Sequence, residues 1–213
     1  MRDLAARFHR KLYLSDRSRR LRQRLELVLW RARRRPASPP PLFKQRIAGA
    51  YAERFSCEIF VETGTFLGDM VFAVRDRFAT LYSIELDPWL FQRARARFQE
   101  DRHVHIVPGD SYETLSLILP KIDRPALFWL DAHQMVGGVR GVQTTPVAKE
   151  LEDILQSALP EYVLLIDDAR LFTGGDYPAL EEVEERIRER HPCWVFEVEH
   201  DIIRSHRPLP PGT

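Results

Sequence analysis

The stretch Ile59-Phe60-Val61-Glu62-Thr63-Gly64-Thr65-Phe66-Leu67-Gly68-Asp69 decides how the rest of the chain is read. A short apolar run ends in polar residues and two glycines, and a helical pattern follows; this is the strand-turn-helix opening of a nucleotide-type loop. It is not a phosphate cradle, because Gly-Lys-Ser/Thr is missing, and it lacks the G-x-G-x-x-G of a dinucleotide fold. Taken alone, it also fits a glycine turn that holds no ligand. Working outward, further apolar runs predict strands at Leu81 to Glu85, Val104 to Val107, Ala126 to Leu130 and Tyr162 to Ile166, with Trp194 to Val198 last. Their near-continuous apolarity suits strands buried on both faces. Between them lie helical patterns: Asp87-Pro88 and Thr145-Pro146 each place a capping side chain before a proline tolerated at the first helical position. Val147, Leu151, Ile154 and Leu155 repeat at helical spacing, as do Leu180, Val183 and Ile187. The alternation predicts an α/β fold with a doubly wound, mostly parallel sheet and helices on both faces.

In such sheets ligands bind beyond the carboxyl ends of the strands, and here those ends are polar. Glu85 ends the second strand 21 residues after Gly64, where an acidic side chain accepts both hydroxyls of a ribose, so an adenosine-like ligand is expected. Asp110 and Ser111 follow the third strand. They either meet an adenine or cap the next helix.

These motifs resemble, in order from Ile59 to Asp168, the class I S-adenosylmethionine-dependent methyltransferases. Within that class they are similar to the cation-dependent O-methyltransferases of the catechol and caffeoyl-CoA type. Glu62 to Gly68 looks like the family's E-x-G-T-F-T-G loop, and Leu81 to Pro88 like its second strand with an acidic end followed by Asp-Pro. The resemblance implies a Rossmann-like methyltransferase sheet and S-adenosylmethionine as cofactor. Glu62, Gly64, Thr65 and Gly68 are then expected around its methionine part and ribose, Glu85 on the ribose, and Asp110 and Ser111 by the adenine. It also implies Mg²⁺ or Mn²⁺ held by Asp131, Asp167 and Asp168, three hard oxygen donors. Departures are informative. Asp131-Ala132-His133-Gln134 stands against the family's D-A-D-K, so Gln134 replaces a lysine near the acceptor and cannot be a base. His133 is the candidate base, beside Asp131 in the catalytic role, since a neutral imidazole takes up a proton or binds a metal near pH 7; a structural histidine at a strand end is the other reading. The bland reading of the three aspartates is helix capping and ion pairing with Arg170. Like charges so close repel unless a cation or protons neutralise them. The glycine-rich segment Gln134 to Thr144 reads as a substrate lid, with Arg140 as a candidate for an acidic acceptor.

The 213 residues, 44% hydrophobic and 30% charged with two cysteines, exclude collagen-like, disulfide-stapled and wholly disordered chains. The net charge of +1 conceals an asymmetry: residues 1–40 carry 13 basic and 3 acidic residues. Two parts are expected, a basic arm with a proline-rich linker over 1–41 and a cofactor-binding catalytic domain over 42–213. In the arm, Leu21, Leu25, Val28 and Leu29 form an apolar stripe among arginines, a basic amphipathic helix. Residues 1–35 could thus meet an anionic membrane surface or a protein partner, or lie as a solvated helix packed on their own domain. No specific nucleic acid is expected, and neither a signal peptide nor a membrane span fits, so the expected location is cytoplasmic, peripheral to the membrane where the arm engages it. The expected activity is O-methylation of a small-molecule or sugar hydroxyl. The rival readings are a non-catalytic nucleotide-binding module and a metal-dependent enzyme of other chemistry.

Overall fold

The computed structural model describes residues 16–33, 38–131 and 145–209. One sheet contains β1 (Ile59–Thr63), β2 (Thr80–Glu85), β3 (Val104–Pro108), β4 (Ala126–Leu130), β5 (Tyr162–Ile166), β6 (Val195–Glu199) and β7 (Ile202–His206), in the order β3-β2-β1-β4-β5-β7-β6. The first five strands run parallel, and β7 is antiparallel to both β5 and β6. The helices are α1 (Asp16–Ala32), α2 (Pro41–Arg54), α3 (Asp69–Val74), α4 (Pro88–Arg97), α5 (Ser111–Ile118), α6 (Val147–Gln156) and α7 (Leu180–Arg190).

Alternation along the buried strands builds two cores. Ile59 and Val61 of β1 join α5, α6 and α7 through Leu115, Leu151, Ile154 and Ile187, while Phe60 between them joins α2 and α3 through Ala48, Val71 and Val74. Each such large side chain taken from water contributes about 1.5–3 kcal/mol, so the sheet's level is fixed by both layers at once. The start of α4 forms as expected, while α6 begins at Val147 with Pro146 as its N-cap rather than its first helical residue. Asp87 caps α4 by accepting from the N–H groups of Trp89 at 2.8 Å and Leu90 at 3.0 Å, and Thr145 Oγ1 accepts from Val147 N–H at 3.4 Å.

Register places the site. Thr63 pairs with Ile84 and with Leu130, and Leu130 pairs with Ile166. The strands β1, β4 and β5 therefore end level, and the residues that follow, Gly64, Asp131 and Asp167, stand side by side. Backbone bonds lock this order: Asp131 N–H donates to Thr63 O at 3.2 Å, and Asp167 N–H to Leu130 O at 3.0 Å.

One expectation needs correction. The strand near 195 is not the last, because β7 follows it and inserts between β5 and β6. Its second half is polar, yet Arg204, Ser205 and His206 are buried. Arg204 reaches Glu199 at 2.5 Å, Ser205 Oγ donates to Val195 O at 3.0 Å, and His206 packs on Phe55 with ring centres 4.6 Å apart. In α1 the arrangement is one of those expected, a basic amphipathic helix packed on its own domain. Its apolar stripe faces water, with Leu21 71%, Leu25 59% and Val28 61% exposed, while Arg19, Gln23, Leu27 and Trp30 are buried. Trp30 packs on Phe43 and His200 at ring-centre distances of 4.9 and 5.9 Å, so α1 seats on the body that begins at α2.

Candidate active site

Beyond the ends of β1 and β4 lies a cleft of about 170 Å³. Four of the expected residues line it: Glu62, Gly64, Thr65 and Asp131. Gly64 adopts φ +94°, which lets the chain turn out of β1 without a Cβ in the left-handed region. Gly68 precedes α3 at φ +70°, and a Cβ there would meet Phe98 at 2.7 Å. It shapes the turn from outside the cleft lining.

Under the cleft runs a chain of short hydrogen bonds. Glu62 Oε2 and Ser83 Oγ lie 2.5 Å apart, Ser83 Oγ and Thr65 Oγ1 2.6 Å, and Thr65 Oγ1 lies 3.1 Å from Ile84 O. Burial pushes the Glu62 carboxyl well above its ordinary range; Ser83 opposes the shift, while Asp131, Glu85 and Asp69 add to it. Ser83 Oγ donates to Glu62 Oε2, and Thr65 Oγ1 donates to Ile84 O.

Glu85 ends β2 as expected, but its carboxylate also builds the loop. Oε2 accepts from Phe66 N–H at 2.6 Å and Oε1 from Asp87 N–H at 2.9 Å. Burial raises its pKa against the pull of those N–H groups. Each oxygen keeps a second lone pair for a ligand hydroxyl. Asp110 is the N-cap of α5, accepting from Tyr112 N–H at 3.0 Å, and Ser111 is buried in the first turn behind it. Both follow β3, off the lining of the cleft.

On the other side of Asp131, which lines both hollows, Asp167 and Asp168 edge a narrower crevice. Carboxylate oxygens of Asp131, Asp167 and Asp168 all lie within 4.8 Å of one another, so the three expected donors do converge. Sequence reasoning missed the residue that sits among them. The ammonium of Lys44, from the first turn of α2, bonds Asp167 Oδ2 and lies 3.8 Å from Asp168 Oδ1. Burial alone would lower the Lys44 pKa, but Asp167, Asp131 and Asp168 outweigh it and raise it. Asp167 is raised too, by burial first and then by Asp131, with Lys44 opposing. The other Asp167 oxygen accepts from Asp168 N–H at 2.8 Å, and Asp168 Oδ1 accepts from Arg170 at 2.8 Å, the ion pair expected in the bland reading.

So arranged, the space among the carboxylates is already taken by a cation: Lys44 bonds one Asp167 oxygen and lies 3.8 Å from Asp168, so Mg²⁺ or Mn²⁺ would have to displace the ammonium to reach all three. Asp201, in the β6–β7 turn, holds the segment behind the crevice: its backbone O accepts from Ala169 N–H at 2.9 Å, its carboxylate accepts from Arg170 N–H at 2.8 Å, and it also pairs with the Arg170 guanidinium. Asp69, at the first position of α3, gathers Arg19 and Gln23 from α1 at 3.3 and 3.2 Å and Arg97 from α4 at 3.0 Å. This explains why polar residues of α1 face inward. His133 and the 134–144 segment with Arg140 lie outside the described residues.

No family model matches the sequence, and no curated protein matches it. Solved structures do match the fold. An O-methyltransferase from Bacillus cereus in complex with SAH aligns with a TM-score of 0.58 and 14% identity, over 92% of this chain and 93% of that one. TomG from Streptomyces achromogenes, an O-methyltransferase of tomaymycin synthesis in complex with SAM, gives 0.52 and 18%, over 87% and 89%. SAH-bound methyltransferase PaMTH1 from Podospora anserina gives 0.54 and 16%, over 78% of each chain. The seven-stranded sheet, parallel except for β7, is the class I methyltransferase fold.

Proposed function

We propose that the protein is an S-adenosylmethionine-dependent methyltransferase acting on an oxygen of a small molecule, a free or sugar hydroxyl. The observation that carries this reading is the convergence of Glu62, Gly64, Thr65 and Asp131 in one cleft, at the level ends of β1 and β4 in a methyltransferase-type sheet. Glu62, Gly64, Thr65 and Gly68 are assigned to the methionine part and ribose, Glu85 to the ribose hydroxyls, and Asp110 and Ser111 to the adenine. Asp131 is assigned to the border between cofactor and acceptor, because it lines both hollows.

Methyl transfer needs little activation from protein, since the sulfonium is itself a good leaving group. The acceptor oxygen attacks the methyl carbon opposite sulfur, the O–C bond forms as the C–S bond breaks, and the bonding pair returns to sulfur, giving S-adenosylhomocysteine. The hydroxyl proton is assigned to His133, two positions after Asp131 in sequence. The site's main contribution is to hold nucleophile and methyl group in line. No step is routed through a metal.

Calorimetry with S-adenosylmethionine and S-adenosylhomocysteine tests the reading. Wild type is expected to bind both, and Glu85→Ala to bind at least about tenfold more weakly, about 1.4 kcal/mol. Failure of the wild type to bind either refutes the function, while equal affinity in a cooperatively melting Glu85→Ala refutes the ribose assignment alone.

The outward stripe Leu21, Leu25 and Val28 is assigned to an anionic lipid surface. It is exposed, and Arg17, Arg20, Arg24 and Arg31 are exposed alongside it, which gives the helix the apolar and cationic faces of an interfacial anchor. Among the described residues no helix is long and apolar enough to cross a membrane.

A further inference from the structure

Three carboxylates whose oxygens lie within 4.8 Å of one another repel unless a cation or protons neutralise them, and the chain supplies a cation from a distant segment. The start of α2 is set by Pro40, extended at φ −69° and ψ 157°, and by Pro41 at the first helical position. Farther along, Ala48, Tyr51 and Ala52 are buried against the sheet, which fixes the axis of the helix. Lys44 is thereby aimed across the ends of β4 and β5, with its side chain 15% exposed against 1% for Asp167 and 8% for Asp168. A surface lysine free to swing would not be held in this way.

We propose that Lys44 is the built-in cation of this site: its ammonium takes the place that a divalent ion would occupy among Asp131, Asp167 and Asp168, and the protein works without metal. The proposal rests on the methyltransferase reading for what the site acts upon, but its claim about cations stands separately. Lys44 is a positioning residue, holding the carboxylates beside the acceptor side of the cleft. Arg170 supplies the second positive charge on Asp168. An ammonium donates hydrogen bonds but offers no open coordination positions, so the acceptor needs no pair of chelating oxygens, and a single hydroxyl suffices.

Mn²⁺ alone is the probe, titrated into the full chain with the free ion read by electron paramagnetic resonance. Wild type is expected to show no saturable site. Lys44→Met is expected to gain one, at least about tenfold tighter than any wild-type binding, and Lys44→Met/Asp167→Asn to lose it. Saturable binding by wild type overturns the proposal, as does a Lys44→Met protein that melts cooperatively and gains no site. Should that variant not fold, the wild-type titration still decides. Calorimetry with S-adenosylhomocysteine on the same samples keeps the two readings apart, because loss of cofactor binding in wild type refutes the function and leaves the Mn²⁺ result standing.

Discussion

Glu150, on α6 beneath the site, is fully buried, and its ionisation should be visible in the stability of the whole protein. Its Oε2 accepts from Thr63 Oγ1 at 3.3 Å, and the same hydroxyl faces Asp131 N–H at 3.3 Å, so the group braces the floor between β1 and β4. Burial pushes its carboxyl up to about 8; Ser111 and Thr63 oppose this, and Asp110 and Asp131 add to it. The unfolded chain releases this proton near its ordinary value of 4.5. The folded pKa is therefore the higher one. The stability it contributes is complete below about pH 4.5 and is lost as pH rises through about 8. The slope is about 1.4 kcal/mol per pH unit, or about 3 kcal/mol between pH 5.5 and 8.5. Glu150→Gln keeps a partner for Thr63 and cannot titrate. Urea denaturation of both proteins across that range should show the variant gaining about 3 kcal/mol relative to wild type as pH rises, equivalent to about 6–12 °C in Tm for a chain of this size. Other raised carboxyls, Glu62 and Asp167 among them, cancel in the difference. Parallel pH profiles for the two proteins would refute a neutral Glu150.

Gly68→Ala should destabilise the fold by about 1–3 kcal/mol in denaturant melts, because φ +70° is costly for alanine and its Cβ would meet the Phe98 ring; an unchanged midpoint would show that the turn relaxes freely. Replacing Leu21, Leu25 and Val28 together by Ser should abolish co-sedimentation with phosphatidylserine vesicles and leave cofactor affinity unchanged, since these side chains point away from the cleft. Vesicle binding that survives the triple change would remove the stripe from the lipid assignment.

The first five strands were legible because they are apolar runs with polar ends; β1, β4 and β5 are buried throughout as that pattern demands, whereas β3, at the sheet edge, has no buried residue and departs from the expectation. β7 was not legible, because Arg204, Ser205 and His206 are buried by satisfying their polar atoms rather than by being apolar. Which face of α1 packs on the body was not legible for the same reason. Apolar periodicity selected Leu21 and Leu25, while the acceptors of Asp69 draw Arg19 and Gln23 inward, and the rings of Phe43 and His200 draw Trp30. At the site, Glu62, Gly64, Thr65, Glu85 and the three aspartates could be placed from the strand ends that carry them. Lys44 carried no such mark, since it belongs to a helix before the first strand and its partners are set by tertiary packing. The need for a counter-charge was readable from the aspartates, but its source was not.

The placement of Asp201 has a consequence for the order in which the molecule is made. Asp168 adopts φ +57°, and the turn after it is held through Ala169 and Arg170 by a residue between the two latest strands in the sequence. During synthesis β1 to β4 and their helices can assemble with the cofactor half of the cleft in place. The turn after Asp168 gains its Asp201 contacts only once the β6–β7 turn has been made. A chain interrupted before β7 would carry the loop after β1 and lack the support of the turn after Asp168, so the two sides of the proposed site would be completed at different stages of synthesis.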